Sequence, residues 1–143
     1  MNIKRLVFII LFTFLIGTLP SWFIDINLDG LATPFKIPGV IFPIAWSILY
    51  LLMSISYYLV SDNDNTIGIY LGQLIVNSIW TILFFGLQWR LLSFFWIILL
   101  FSLVLVMALR YKKINKASFY LLIPYLLWLI FAGYLNLSIY LLN

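Results

Sequence analysis

"SFYLLIPYLLWLIFAGYLNLSIYLLN", residues Ser118–Asn143, is the stretch that decides the fold. It has no charged residue and is long enough for a helix to cross the ~30 Å hydrocarbon core of a bilayer. It also contains polar or bulky side chains that a plain membrane anchor does not need: Pro124, Tyr125, Trp128, Tyr134 and Asn136. The segment therefore predicts a transmembrane helix that presents these side chains to something other than lipid.

Similar apolar runs fill the rest of the chain. Of its 143 residues, 66% are hydrophobic and only 8% are charged, whereas a soluble domain carries about 25% charged residues. The first run is interpreted as a retained helix, because no small-x-small cleavage site of a signal peptide follows it. We predict an all-α integral membrane protein, a bundle of five transmembrane helices in a single domain, 1–143. The expected helices are 6–23, 40–60, 67–87, 91–109 and 117–142, and 24–39 forms a lid-like loop.

The absence of certain residue types excludes several kinds of chemistry. The chain has no cysteine and no histidine, which removes thiol nucleophiles, imidazole acid–base chemistry and the commonest metal and haem ligands. We therefore expect no metal and no resident cofactor. No Asp, Glu, Lys or Arg lies within the five expected spans, which argues against an ion-driven pump. No basic stripe interleaved with aromatic residues indicates a nucleic-acid partner.

Basic residues near the expected helix ends predict the orientation. One side of the membrane receives six: Lys4, Arg5, Arg110, Lys112, Lys113 and Lys116. The other side receives two, Lys36 and Arg90. By the positive-inside rule the N-terminus is cytoplasmic, and the first loop and C-terminus lie outside. The expected location is a cell membrane that the chain crosses several times.

Three expected helices each carry a face of aromatic and amide side chains at helical spacing. The faces are Trp46, Tyr50, Met53 and Tyr57 on helix two; Gln73, Asn77 and Trp80 on helix three; and Tyr125, Trp128, Ala132 and Asn136 on helix five. Neutral amides in hydrocarbon need partners or water. Two interpretations remain open: these residues join the helices together, or they line a shared cavity for a flat, mainly apolar ligand.

A small-residue motif lies on helix three. "GIYLG" places Gly68 and Gly72 four residues apart, a spacing that permits close contact between helices. The motif indicates either a dimer interface or close packing within one chain, and the sequence does not separate the two.

Three stretches together resemble the translocator protein / tryptophan-rich sensory protein (TspO/MBR) family. They are "FKIPGVIFPIAWSILYLLMSISYYLV", "NSIWTILFFGLQ" and "LLIPYLLWLIFAGYLN". They resemble the family's loop-to-helix-two signature, its Asn-x2-Trp-x3-Phe-Phe on helix three and its Pro-Tyr-x2-Trp-x3-Ala-x2-Leu-Asn on helix five. The likeness spans about residues 30 to 143 in order.

The resemblance implies a five-helix membrane protein that binds porphyrins such as protoporphyrin IX among helices one, two, three and five. Carried over, the ligand-binding candidates are Trp46, Tyr50, Asn77, Trp80, Tyr125, Trp128, Ala132 and Asn136. The lid candidates are Phe35, Lys36 and Pro38. Two interpretations of Lys36 remain open: it pairs with a porphyrin propionate when the loop closes, or it is an exposed loop lysine that meets lipid phosphates. Family members commonly dimerise, which favours a homodimer through Gly68 and Gly72.

Three function classes remain. We favour a tetrapyrrole-binding sensor or regulator. The alternatives are an enzyme that degrades protoporphyrin by oxidative or light-driven chemistry at tryptophan, and a passive carrier of porphyrin or another apolar ligand. Since no histidine or cysteine is available for axial ligation, metal-free porphyrin fits the sequence better than haem.

Overall fold

The computed structural model describes residues 2–143, and this part of the chain contains helices and loops but no strand. Five α-helices account for most of it: α1 Ile3–Thr18, α2 Ile41–Val60, α3 Ile67–Thr81, α4 Arg90–Lys112 and α5 Lys116–Leu142. A 3₁₀ turn, Leu19–Trp22, extends α1, and another, Asp64–Thr66, precedes α3. All five helical segments are long and apolar enough to cross a membrane. The prediction of an all-α membrane protein with five spanning helices is confirmed.

Several predicted helix ends were wrong. The first helix is α-helical only to Thr18 and the third only to Thr81, where a 3₁₀ turn and a π turn follow, and the first helix begins earlier and the fourth ends later than predicted. Helix α1 begins at Ile3 rather than at residue 6, because the Asn2 side chain accepts a hydrogen bond from the Arg5 amide and caps the helix. Helix α4 continues to Lys112 rather than ending at residue 109. Tyr111, which the sequence placed in a loop, is buried, and its hydroxyl donates to the Thr66 carbonyl at 2.7 Å.

The expectation that the spans contain no charged residue is therefore wrong for their terminal turns. Charged side chains in those turns are Lys4, Arg5, Arg90, Arg110, Lys112 and Lys116. Long basic side chains reach from such positions to the headgroups while their stems stay in apolar surroundings. In the last turn of α4 they also interact favourably with the helix dipole.

Helix α3 ends in a π turn, Ile82–Gly86, in which the Leu87 amide donates to the Ile82 carbonyl at 2.8 Å. The chain then reverses within three residues before α4 begins. Gln88 takes a left-handed conformation there, with φ of 58°, which is uncommon for a residue other than glycine. This tight reversal brings the end of α3 and the start of α4 close together.

The principal contacts form a closed ring of helices. Helix α1 packs against α2 and α3, α2 packs against α5, and α4 joins α5 to α3. The ring order is therefore α1, α2, α5, α4, α3. Buried side chains fill its centre, among them Met53, Leu74, Leu100, Met107, Leu122 and Ile139. Large apolar side chains on the outer faces are exposed, as a bilayer requires.

Contacts between chain segments identify the two ends of the bundle. At one end, the Arg5 guanidinium bonds the Asp62 carboxylate at 2.9 Å and joins the N-terminus to the second loop. At the other end, the Asn143 side chain exchanges two hydrogen bonds with the Ala32 backbone, at 3.0 and 3.1 Å. The first loop and the C-terminus therefore share the end of the bundle opposite to the N-terminus.

Candidate functional site

A cavity of about 260 Å³ lies inside the half of the bundle nearest the first loop. Helices α1, α2, α3 and α5, the π turn after α3 and the first loop contribute its walls, and no lining residue is charged. Six of the eight ligand-binding candidates line it: Trp46, Tyr50, Trp80, Trp128, Ala132 and Asn136. We call this space the aromatic cavity.

Indole rings from α2 and α5 form one wall. The ring centres of Trp46 and Trp128 are 6.3 Å apart, with their planes at 83°. Phe42 lies edge-on to Trp128 at 6.3 Å. The sequence reasoning missed Phe42, although it precedes Trp46 by four residues and so continues the same helix face. Edge-to-face pairs of this kind hold aromatic rings at defined angles.

The opposite wall comes from α3 and the π turn. The ring of Trp80 stacks on that of Phe84 at 5.2 Å, with 18° between the planes. Phe85 follows and also lines the cavity. The π turn shifts the helical register, so that these two consecutive phenylalanines both reach the cavity.

Close approach of α1 to α2 depends on Gly17. The Tyr50 hydroxyl donates to the Gly17 carbonyl at 3.0 Å. A Cβ atom on Gly17 would lie 2.5 Å from Tyr50 Cζ, so any larger residue there would have to displace the Tyr50 ring. The sequence analysis named no α1 residue as a candidate. The feature that could have indicated one is Gly17, the single glycine of this helix.

Asn136 lines the cavity, but its polar atoms are engaged elsewhere. Its Oδ1 accepts hydrogen bonds from Trp80 Nε1 and Ser93 Oγ, each at 3.0 Å. Its Nδ2 donates to the Arg90 carbonyl at 2.7 Å. The amide therefore joins α5 to α3 and α4 and holds the Trp80 ring against the cavity wall.

The remaining two candidates, Asn77 and Tyr125, lie behind the wall and do not line the cavity. Asn77 Nδ2 donates to the Tyr125 hydroxyl at 2.9 Å, and that hydroxyl donates to Gln73 Oε1 at 2.8 Å. The Tyr125 ring packs edge-on to Trp46 at 6.2 Å. These residues join α3 to α5 and support Trp46 from behind.

One buried polar atom in the wall has no partner. Trp128 Nε1 is buried and makes no hydrogen bond, which is unusual for a buried indole N–H. Trp128 lines the cavity, but its N–H is covered by protein atoms, so an acceptor atom on a ligand would complete the missing bond only if the indole turned towards the cavity.

The lid candidates Phe35, Lys36 and Pro38 do not line the cavity. The loop residues that line it are Ile26, Leu28 and Gly39. The Phe35 ring instead packs against Phe131, with ring centres 6.2 Å apart. The first loop therefore covers the cavity with Ile26 and Leu28, which precede the predicted lid residues Phe35–Pro38, and with Gly39, which follows them.

Gly68 and Gly72 lie on an open face of α3. A Cβ atom added to either glycine would meet no atom of another residue within 4 Å. Close packing within the chain therefore does not account for this pair.

Comparisons with known proteins agree with this architecture. The sequence model described as the TspO/MBR family matches residues 6–142. A tryptophan-rich protein TspO from Archaeoglobus fulgidus is 39% identical, over 100% of this chain and 99% of that protein. Protein CrtK from Rhodobacter capsulatus is 34% identical over 80% of this chain and 77% of its own length. The translocator protein of Ovis aries is 31% identical over 72% of this chain and 66% of its own.

Proposed function

The chain belongs to the TspO/MBR family, and from this premise we propose that it binds a tetrapyrrole such as protoporphyrin IX in the aromatic cavity and acts as a sensor or regulator. The observation that carries the proposal is the convergence of Trp46, Trp80 and Trp128 on one uncharged cavity. A flat ligand with a large π system stacks on such walls. The unpartnered N–H of Trp128 suits a ligand that also carries acceptor atoms.

The size of the cavity adds a condition. Its volume of about 260 Å³ lies just below the ~300–1,000 Å³ that pockets for drug-sized ligands occupy. A tetrapyrrole therefore enters with part of its ring outside, or with the first loop displaced. Ile26 and Leu28 close the cavity with apolar side chains, and the loop is held to the end of α5 by the two hydrogen bonds between Ala32 and Asn143, so displacing it would break those two bonds.

A titration of the purified protein in lipid nanodiscs tests the proposal. We expect protoporphyrin to quench tryptophan fluorescence saturably, with one ligand per chain. Ala132→Phe places a ring in the cavity and should abolish the saturable phase. Ile130→Phe, on the exposed face of the same helix, is the matched control and should retain it. If quenching in the parent protein rises linearly with protoporphyrin concentration and does not saturate, binding at this site is contradicted.

A second candidate function is oxidative or light-driven degradation of bound protoporphyrin. The 6.3 Å separation of the Trp46 and Trp128 rings within one cavity supports it, because indoles are the oxidisable groups nearest to such a ligand. Product analysis in light and dark, with and without oxygen, distinguishes an enzyme from a binder. A binder changes the ligand no faster than the same light and oxygen do without protein.

We further propose that the N-terminus faces the cytoplasm. The six-to-two division of Lys and Arg between the two ends of the bundle supports this orientation under the positive-inside rule. The aromatic cavity and the first loop would then lie towards the outside of the cell.

We also propose a homodimer through Gly68 and Gly72. The proposal rests on the open face that the two glycines form on α3, since small residues let two helices approach closely in a bilayer.

A further inference from the structure

A second, polar cavity of about 460 Å³ adjoins the aromatic cavity at the same end of the bundle. Its polar lining comes from Asp25, Asn27, Asp29, Gln88 and Arg90. Phe85 lines both cavities and is therefore their common boundary. We call the second space the polar cavity.

Loop residues 25–29 separate the two spaces. Ile26 and Leu28 line the aromatic cavity, whereas Asp25, Asn27 and Asp29 line the polar one. The segment therefore forms a wall with apolar side chains on one face and polar side chains on the other. A ligand with an apolar body and an acidic edge matches this pair of cavities.

Arg90 is the cation in the polar cavity. Its guanidinium carbon lies 5.2 Å from the ring centre of Phe84, a residue of the aromatic cavity. Its backbone is also fixed, because its carbonyl accepts from Asn136. The Nε atom is buried and makes no hydrogen bond. Among residues 2–143 the one ion pair joins Arg5 to Asp62, so Arg90 forms no ion pair with Asp25 or Asp29.

Only two cations belong to this end of the bundle, Lys36 and Arg90, and Lys36 lines neither cavity. We infer that Arg90 binds a carboxylate of the ligand, which extends past Phe85 into the polar cavity. The inference rests on the proposed function and assigns the acid-recognising residue of that site. A planar guanidinium with free N–H groups pairs well with a carboxylate.

Asp25 and Asp29 act in the opposite direction. Their carboxylates share the cavity with Arg90 and repel an incoming acid. They therefore weaken the binding of a dicarboxylic porphyrin relative to an uncharged one, and removing either charge should strengthen it.

Protoporphyrin and its dimethyl ester, measured with the full-length protein in nanodiscs, test the inference. We expect Arg90→Gln to raise the Kd of the diacid about fivefold, as for a partly hydrated ion pair, and to leave the Kd of the ester within about twofold. Arg90→Lys should retain much of the diacid affinity. Lys36→Gln, the matched control, should change neither ligand. Asp25→Asn should lower the Kd of the diacid alone.

The outcomes separate the possible failures. Equal losses for diacid and ester in Arg90→Gln would mean that the Arg90 side chain acts only through its contact with the Phe84 ring, and would overturn the inference. Equal effects of Arg90→Gln and Lys36→Gln would overturn it too, because they would reflect general surface charge. If the parent protein binds the ester and Arg90→Gln does not change the Kd of the diacid, the inference fails and the proposed function stands. A parent that binds neither ligand overturns the proposed function as well.

Discussion

Replacing Trp128 with alanine removes one wall of the aromatic cavity and should weaken protoporphyrin binding more than any change outside it. The indole borders the rings of Trp46 and Phe42, each at 6.3 Å, and Phe131 at 5.1 Å. A ligand stacked in the cavity loses an aromatic contact worth ~1 kcal/mol. It also loses the free indole N–H, which contributes ~1 kcal/mol when an acceptor is present. Together these give ~2 kcal/mol, or about thirtyfold in Kd.

Two further variants separate these contributions. Trp128→Phe keeps a ring and removes the N–H, so we expect a loss of about fivefold. Trp89→Ala is the control for a missing tryptophan. Trp89 precedes α4, is 55% exposed and lies outside the cavity, so its loss should leave the Kd unchanged within error.

Absorption of the porphyrin is the preferred signal, because the substitutions remove tryptophans and alter the intrinsic fluorescence. Thermal unfolding of each variant in the same nanodiscs shows whether the bundle is intact. If Trp128→Ala and Trp89→Ala bind protoporphyrin equally well, the aromatic cavity is not the binding site. If Trp128→Phe falls as far as the alanine variant, the hydrogen bond outweighs the stacking contact and the division above is incorrect.

Three further predictions concern the bundle. Gly17→Ala should destabilise the fold by ~1–3 kcal/mol, because its Cβ would overlap the Tyr50 ring. Gly39→Ala, the control, has no atom within 4 Å of the added Cβ and should melt like the parent. Equal melting temperatures for the two variants would contradict the α1–α2 contact. Single cysteines at Asn27 and Asn143 in this cysteine-free chain should react with an impermeant thiol reagent on intact cells, and labelling at Asn115 instead would invert the proposed orientation. Gly68→Cys should crosslink two chains in membranes while Ile130→Cys does not, and crosslinking at Ile130 alone would place the dimer interface elsewhere.

The number of helices followed from the sequence because it depends on a local property. Each span is an uninterrupted apolar run, and in a bilayer such a run must form a helix to satisfy its own backbone. The positions of the helix ends could not be predicted as easily from the sequence. Residues such as Arg110 and Lys112 appear as loop residues by charge, yet their flexible stems let them end a helix at the headgroup boundary. Tyr111 could not be identified as buried, because its partner, the Thr66 carbonyl, is distant in sequence.

The candidate site was predictable where a helix face alone decides the outcome. Trp46 and Tyr50 share a face, as do Trp128 and Ala132, and the cavity receives both pairs. It was not predictable where two helices must approach each other. Nothing in the spacing of α1 indicates that Gly17 meets Tyr50, since that contact depends on the ring order of the helices.

Asn77 and Asn136 illustrate why an amide on a helix face does not reveal its own role. Each lies on the same face as a tryptophan, and both are buried, yet Asn136 borders the cavity and Asn77 lies behind it. The difference arises from depth along the bundle, where the Tyr125 hydroxyl meets Asn77, whereas Trp80, Ser93 and the start of α4 meet Asn136. Because Asn136 Oδ1 accepts from Trp80 and its Nδ2 donates to the Arg90 carbonyl, the amide is engaged in contacts between helices. Under the proposed function, polar recognition would therefore fall to residues that border a cavity and have hydrogen bonds left unmade: Trp128, through its indole N–H, in the wall of the aromatic cavity, and Arg90, through its guanidinium, in the polar cavity beside it.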